Sequence, residues 1–326
     1  MPLINSTEIL KLHVPGFSKD SNFKQMLLWV QKAERTYLLP KIGRELYAAL
    51  EDYKGDAYDV LREMAERTVA WYAYYLALPY LDISAGDLGL KTQISDNSDQ
   101  LPKWKYIELL RTTADTADQE MEDLLYFLFD NAEAFPEWLN STTYKACNEY
   151  FFRTARQLTM FLPLTQNRYR TYTALQPYMA LCERELSEVL TSTLLNELKA
   201  KWQQPMYMGW LYQEQELLDL CREYIAPQAM LMALPDLKFK LYPDGLKIST
   251  YEDAFAQQPS GSQERISQQQ QAKLTSDAAA AMARIKTYLE RSASATVFPS
   301  YYERKLASPQ RTPLFLTNDH KKSFIL

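Results

Sequence analysis

The sequence predicts a mainly α-helical protein, on three observations: scarce glycine, apolar residues recurring at helical spacing, and self-similarity between the two halves. Eight glycines stand against 16 prolines in 326 residues, too few for the turns and phosphate loops of an α/β fold. Hydrophobic residues make up 47% of the chain, ample for a core that needs no staples.

The elements follow in order. From about Asn22 to Tyr53, Phe23, Leu27, Val30 and Tyr37 keep helical spacing, and Pro40 predicts a corner before a second short helix, Ile42 to Leu50. A longer helix runs from Ala57 to Pro79, with Leu61, Met64, Ala65, Thr68, Trp71, Tyr72 and Tyr75 on one stripe. Leu81, Ile83 and Ala85 alternate with polar neighbours before Gly86 and Gly89, an extended piece that leads into a projecting polar loop, Thr92 to Gln100. Helical spacing returns from Trp104 to Asn131, and Phe135-Pro136-Glu137-Trp138 stops it. Asn140-Ser141-Thr142 then reads as the start of a linker.

A search for self-similarity gives the domain organisation. Ala77-Leu78-Pro79-Tyr80-Leu81 recurs as Ala233-Leu234-Pro235-Asp236-Leu237, and at the same spacing Gly89-Leu90-Lys91 recurs as Gly245-Leu246-Lys247. That register pairs Leu61 with Leu217, Met64 with Leu220 and Val69 with Ile225. After small shifts, Glu45-Leu46 pairs with Glu197-Leu198, Tyr126 with Tyr288, and Phe135-Pro136-x-Trp138 with Phe298-Pro299-x-Tyr301. The reading is a tandem duplication: a first helical unit over residues 1–140, a second over 141–297, and an extended C-terminal arm over 298–326. A glutamine-rich loop at about 257–271 interrupts the second unit.

Composition narrows the function. A net charge of −5 and a pI near 5.4 leave no electrostatic basis for coating nucleic acid, though a local basic strip stays open. No charged stretch followed by an apolar run opens the sequence, and none reaches the roughly 20 residues that span a bilayer, so we expect a protein made in the cytoplasm. Cys147, Cys182 and Cys221 have no paired spacing and read as small buried hydrophobes. With two histidines, His13 and His320, any catalysis would have to run on carboxylates.

Each candidate site has a plainer reading. Asp115, Asp118 and Glu122 share one helix face and could form a metal or acid–base cluster, but a solvated face gives the same pattern. The aromatic group Trp71, Tyr72, Tyr74, Tyr75 and Tyr80 could stack on bases or sugars; helical spacing favours core packing, with Tyr74 as the outlier. Lys103, Lys105, Arg153, Arg156, Arg168 and Arg170 could touch phosphates, and a solvated face or intersubunit salt bridges explain them equally well. No phosphate loop or serine-nucleophile motif occurs, so no catalytic, cofactor-binding or metal-binding residue is assigned. The 23 tyrosines favour protein partners over small-molecule substrates.

The stretch Leu39-Pro40-x-Ile42-Gly43-x-Glu45-Leu46-Tyr47 resembles the early helices of head–tail connector (adaptor) proteins of tailed bacteriophages. Leu125-Tyr126-Phe127-Leu128, Asn131, Phe135-Pro136-x-Trp138 and the Phe161 to Pro163 segment with Arg168 resemble an uncharacterised family encoded by phages and prophages of gut bacteria, crAss-like phages included. The resemblance implies a non-enzymatic virion protein of the neck: a ring, commonly of twelve subunits, between portal and tail, with the genome in its lumen. Its partners would be copies of itself, the portal, other neck or tail proteins and, non-specifically, double-stranded DNA. The chain departs from single-unit adaptors in being duplicated. A helical DNA-binding or replication-associated phage protein is the alternative. In the arm, Leu314, Phe315, Leu316, Phe324 and Ile325 form apolar clusters expected to bury into a neighbouring subunit.

Overall fold

The computed structural model describes residues 2–15, 23–52, 55–81, 83–86, 89–92, 102–204, 209–237, 239–242, 245–248 and 261–307. Over these the chain is mainly helical. Thr92 aside, the expected projecting loop lies outside the described residues, as do Leu314, Phe315, Leu316, Phe324 and Ile325.

The first half opens with the buried pair Leu3 and Ile4, then α1 (Thr7–His13), which begins where Ser6 accepts the Ile9 N–H. α2 (Phe23–Ala33) continues through a π-helical stretch, Glu34–Leu38, into α3 (Leu39–Asp52). The predicted corner at Pro40 is displaced. Pro40 sits in the first turn of α3, where its missing N–H is tolerated, and the wider π turn precedes it. The backbone leaves helical geometry at Gly43, with φ 81° and ψ 165°, a conformation open to glycine.

α4 (Asp56–Ala77) follows, then an antiparallel hairpin of β1 (Ile83–Gly86) and β2 (Gly89–Thr92), and the long α5 (Lys103–Asp130) packed along α4. α6 (Pro136–Leu139) turns back onto α3, where the Trp138 indole N–H donates to the Lys41 carbonyl at 3.1 Å. The expected linker at Ser141 is instead a helix start: Ser141 accepts the Tyr144 N–H and opens α7 (Thr142–Cys147).

The second half runs in parallel order. The buried pair Phe151 and Phe152 leads to α8 (Ala155–Phe161), which Thr154 caps through the Gln157 N–H. α1 and α8 are seven residues each. α9 (Tyr169–Leu190) and α10 (Ser192–Trp202) precede α11 (Tyr212–Ala233), which matches α4 in its 22 residues and lies at the spacing read from the sequence. The hairpin of β3 (Phe239–Tyr242) and β4 (Gly245–Ile248) keeps that spacing too, and its register, Tyr242 opposite Gly245, repeats Gly86 opposite Gly89. α12 (Gly261–Ser292) packs along α11 as α5 does along α4, and α13 (Pro299–Ala307) packs on α10 as α6 does on α3.

Three expectations change here. From Gly261 onward the glutamine-rich stretch is helix and not loop, because glutamine is a good helix former and carries no breaker after Gly261. The first part of the arm is α13, whose Arg304 guanidinium donates to the Glu188 and Val189 carbonyls at the end of α9. Burial also moves one register: Leu110, Ala117, Met121 and Leu125 of α5 match Leu274, Ala281, Ile285 and Leu289 of α12, which pairs Leu124 with Tyr288 and leaves Tyr126 exposed. One continuous core joins both halves, from Leu3 to Phe298.

Candidate functional site

The described residues converge on a polar seam where α5 of the first half meets the start of the second. Asp115, Asp118 and Glu122 lie one helical turn apart on α5, and the reading of that face as solvated is overturned: Asp118 is 2% exposed and Glu122 fully buried. What covers them is α8 and the first turn of α9. The Arg170 Nε donates to Asp118 Oδ2 at 2.9 Å, and the Tyr72 hydroxyl of α4 donates to Asp118 Oδ1 at 3.0 Å. Arg168 pairs with Asp115 at 2.6 Å. Glu122 accepts the Ala155 N–H at 3.0 Å and the Arg156 N–H at 2.7 Å, so its carboxylate satisfies the opening turn of α8. The Arg156 side chain reaches Asp123 at 3.0 Å and lies over the Tyr126 ring.

Both oxygens of Asp118 and both of Glu122 are therefore engaged, and the electrostatics follow from burial. Burial pushes the Asp118 carboxyl above the usual carboxylate range, against the pull of Arg170 and Tyr72. Burial raises Glu122 likewise, partly offset by the Arg156 and Ala155 N–H groups. Tyr72 is raised by burial and by the neighbouring Asp118 charge, and its ring stacks on Tyr37 at 3.9 Å between centroids. Arg156, Arg168 and Arg170, left open as phosphate contacts or salt-bridging groups, form ion pairs within the chain.

A second polar cluster locks the start of the second half onto its own helices. The Phe151 N–H donates to Glu183 Oε1 at 2.9 Å, and Lys199 pairs with the other Glu183 oxygen at 2.5 Å. Arg222 donates to the Phe151 carbonyl, and the Tyr172 hydroxyl to the Phe152 carbonyl. The Trp202 ring has the guanidinium carbons of both Arg153 and Arg222 within cation–π reach, 3.8 and 4.5 Å from its centroid. The first half has a simpler counterpart: the Leu3 N–H donates to Glu34 Oε1 at 2.7 Å, and burial raises the Glu34 carboxyl. Sequence reading missed Glu34 and Glu183. The signal was present in Leu3-Ile4-x-Ser6 and Phe151-Phe152-x-Thr154, two apolar residues ahead of a helix-capping hydroxyl.

The remaining candidates separate. Tyr72 is core, while Trp71, Tyr74 and Tyr75 are half-buried; the outlier is Tyr80, 58% exposed and stacked on Trp29, and not Tyr74. Cys182 and Cys221 are buried free thiols, and the Cys147 side chain lies outside the described residues. No group of three or more metal-ligating side chains occurs among the described residues, and none of the described helices is long and apolar enough to cross a membrane.

Fold and seam define a helical protein of two consecutive helix–hairpin–helix units clasped by ion pairs, the one of Arg170 with the buried Asp118 among them. The chain belongs to a family of unknown function, DUF6712, whose model matches residues 39–148 and 186–308. No curated protein and no solved structure matches it.

Proposed function

We propose that this chain is a tandem duplicate serving as a structural subunit of a bacteriophage head–tail neck, in a connector ring between portal and tail through which the genome passes. The observation that carries the reading is the repeated plan: α1 to α6 and α8 to α13 follow one order, with equal helix lengths in α4 and α11 and equal hairpin registers. Two helical units joined by one continuous core suit a subunit from which rings can be built. The two segments matched by the family model fall one in each half, which supports the duplication. The resemblance of Leu39 to Tyr47 to phage adaptors supplies the neck location. Its Gly43 has a structural task, since a side chain there would meet Thr143 Oγ1 at 3.1 Å.

In this reading the partners are other copies of the chain, the portal and neighbouring neck or tail proteins, and the lumen encloses double-stranded DNA. Pairing of Arg156, Arg168 and Arg170 with carboxylates favours a structural role over the DNA-binding alternative. Antibody labelling of purified phage particles tests the assignment. Label at the head–tail joint is expected; label on the capsid wall or tail fibres, or none on virions, contradicts it.

A further inference from the structure

The opening of each half is one device used twice. An apolar pair precedes a capping hydroxyl, as Leu3-Ile4-x-Ser6 and as Phe151-Phe152-x-Thr154, and a buried carboxylate accepts the first N–H of the pair: Glu34 from Leu3 at 2.7 Å, Glu183 from Phe151 at 2.9 Å. The sequence carries the device a third time, in the arm. Leu314-Phe315-x-Thr317 follows Phe298-Pro299 at the spacing by which Phe151-Phe152-x-Thr154 follows Phe135-Pro136. A preceding proline brings it closer to the first opening, Pro313-Leu314-Phe315-x-Thr317 against Pro2-Leu3-Ile4-x-Ser6.

Both receiving carboxylates hold a segment of their own chain, but the two sites are not equally filled. Lys199, Glu149 and the half-buried Tyr150 stand around Glu183, while Arg222 and the Tyr172 hydroxyl hold the Phe151 and Phe152 carbonyls. Around Glu34 the places of Lys199 and Tyr150 fall to Tyr47 and Pro2, and an open cavity of about 280 Å³ lies there, lined by both with Gln31, Glu34, Arg35 and Leu39. We infer that the arm of one copy exchanges with the opening of the next: Pro313 to Thr317 take the place of Pro2 to Ser6 in a second copy, the Leu314 N–H donating to Glu34, and the residues ahead of Pro313 enter the cavity. The burial lost with Leu3 and Ile4 is regained with Leu314 and Phe315, so like replaces like. Such a contact joins different surfaces of each copy, and successive copies close into a ring or continue as a filament. It rests on the structural role proposed above and gives the proposed ring its subunit joint.

Full-length chains test this in solution. Gln31 is exposed at the cavity, so a chain carrying Gln31→Cys mixed with one carrying Thr312→Cys is expected to give a disulfide-linked dimer on mild oxidation, and neither alone should. Sedimentation velocity across a concentration series should show self-association that Phe315→Asp abolishes with circular dichroism unchanged. Leu3→Ala separates exchange from ordinary docking. It weakens the resident segment, so association should tighten by roughly tenfold, whereas an arm that docks elsewhere gains nothing from it. Chains that stay monomeric and unlinked, association indifferent to Phe315→Asp and Leu3→Ala, or a Gln31→Cys/Thr312→Cys chain that links only within itself would each overturn the exchange. Particle labelling decides the neck assignment independently of all three.

Discussion

Asp118 on α5 and Arg170 on α9 meet at 2.9 Å across the two halves, and the same carboxylate accepts the Tyr72 hydroxyl from the helix behind it. One buried acid thus ties α4, α5 and α9 together. Removing it takes the carboxylate acceptor from the Arg170 Nε and from the Tyr72 hydroxyl, leaving Arg170 only its long contact to the Tyr75 hydroxyl at 3.5 Å. Asp118→Ala is expected to cost about 3 kcal/mol, the low end for breaking a buried pair, because Arg170 keeps some access to water. Asp118→Asn should cost less, since an amide oxygen still accepts one bond. Urea unfolding of both variants checks the order.

The pH dependence has a definite sign. Burial raises Asp118, Glu122 and Glu183 above the usual carboxylate range, so the folded protein holds these protons more tightly than the unfolded chain does. Their contribution is fully present below the unfolded values and is lost as pH rises through the folded ones. Glu66 runs the other way: burial pushes it up, but His13 and Arg62 outweigh that and lower it. Comparing wild type with Asp118→Asn isolates one group. The stability gap in favour of wild type should widen as pH falls from neutrality toward the unfolded carboxylate value of about 3.9; a gap that holds down to that value and narrows below it would mean that Arg170 outweighs burial.

Gly43→Ala tests the corner in α3. Its φ of 81° suits glycine, and a Cβ would press on Thr143 of α7 at 3.1 Å. A loss of about 2 kcal/mol is expected from strain and crowding together. Thr143→Ala in the same background should recover the crowding part and leave the strain.

Removing residues 308–326 separates the arm from the fold. α13 must stay, because Arg304 engages the end of α9, so the cut falls after Ala307. Circular dichroism should be unchanged, and assembly into particles should fall if Leu314, Phe315 and Leu316 bury in a neighbour as proposed. A collapse of helicity would place the arm within the fold, and unchanged assembly would deny it that role.

Much of the helical plan was legible because Leu61, Ala65, Thr68 and Tyr72 on α4, and Leu110, Ala114, Ala117 and Met121 on α5, bury one face at helical spacing. The shared order of elements in the two halves was legible where packing and turn residues coincide, as at Ala77-Leu78-Pro79 and Gly89-Leu90-Lys91. It was hidden at the start of each half, where Leu3-Ile4 and Phe151-Phe152 share size and burial but not identity. Spacing could not show the seam. Asp115, Asp118 and Glu122 have the pattern of a wet helix face, and only the arrival of Arg168, Arg170 and the α8 backbone from another part of the sequence makes burying them tolerable. Pro40 misled for a related reason: a proline in the first turn of a helix breaks nothing, and the turn fell to Gly43.

Cryo-electron microscopy of the head–tail joint in particles encoding this chain tests the central claim most directly. The account predicts ring density in which each subunit shows two helix–hairpin–helix units, long helices α5 and α12 included, between portal and tail. Joint density fully explained by other chains, with this one absent from the particle, would contradict it.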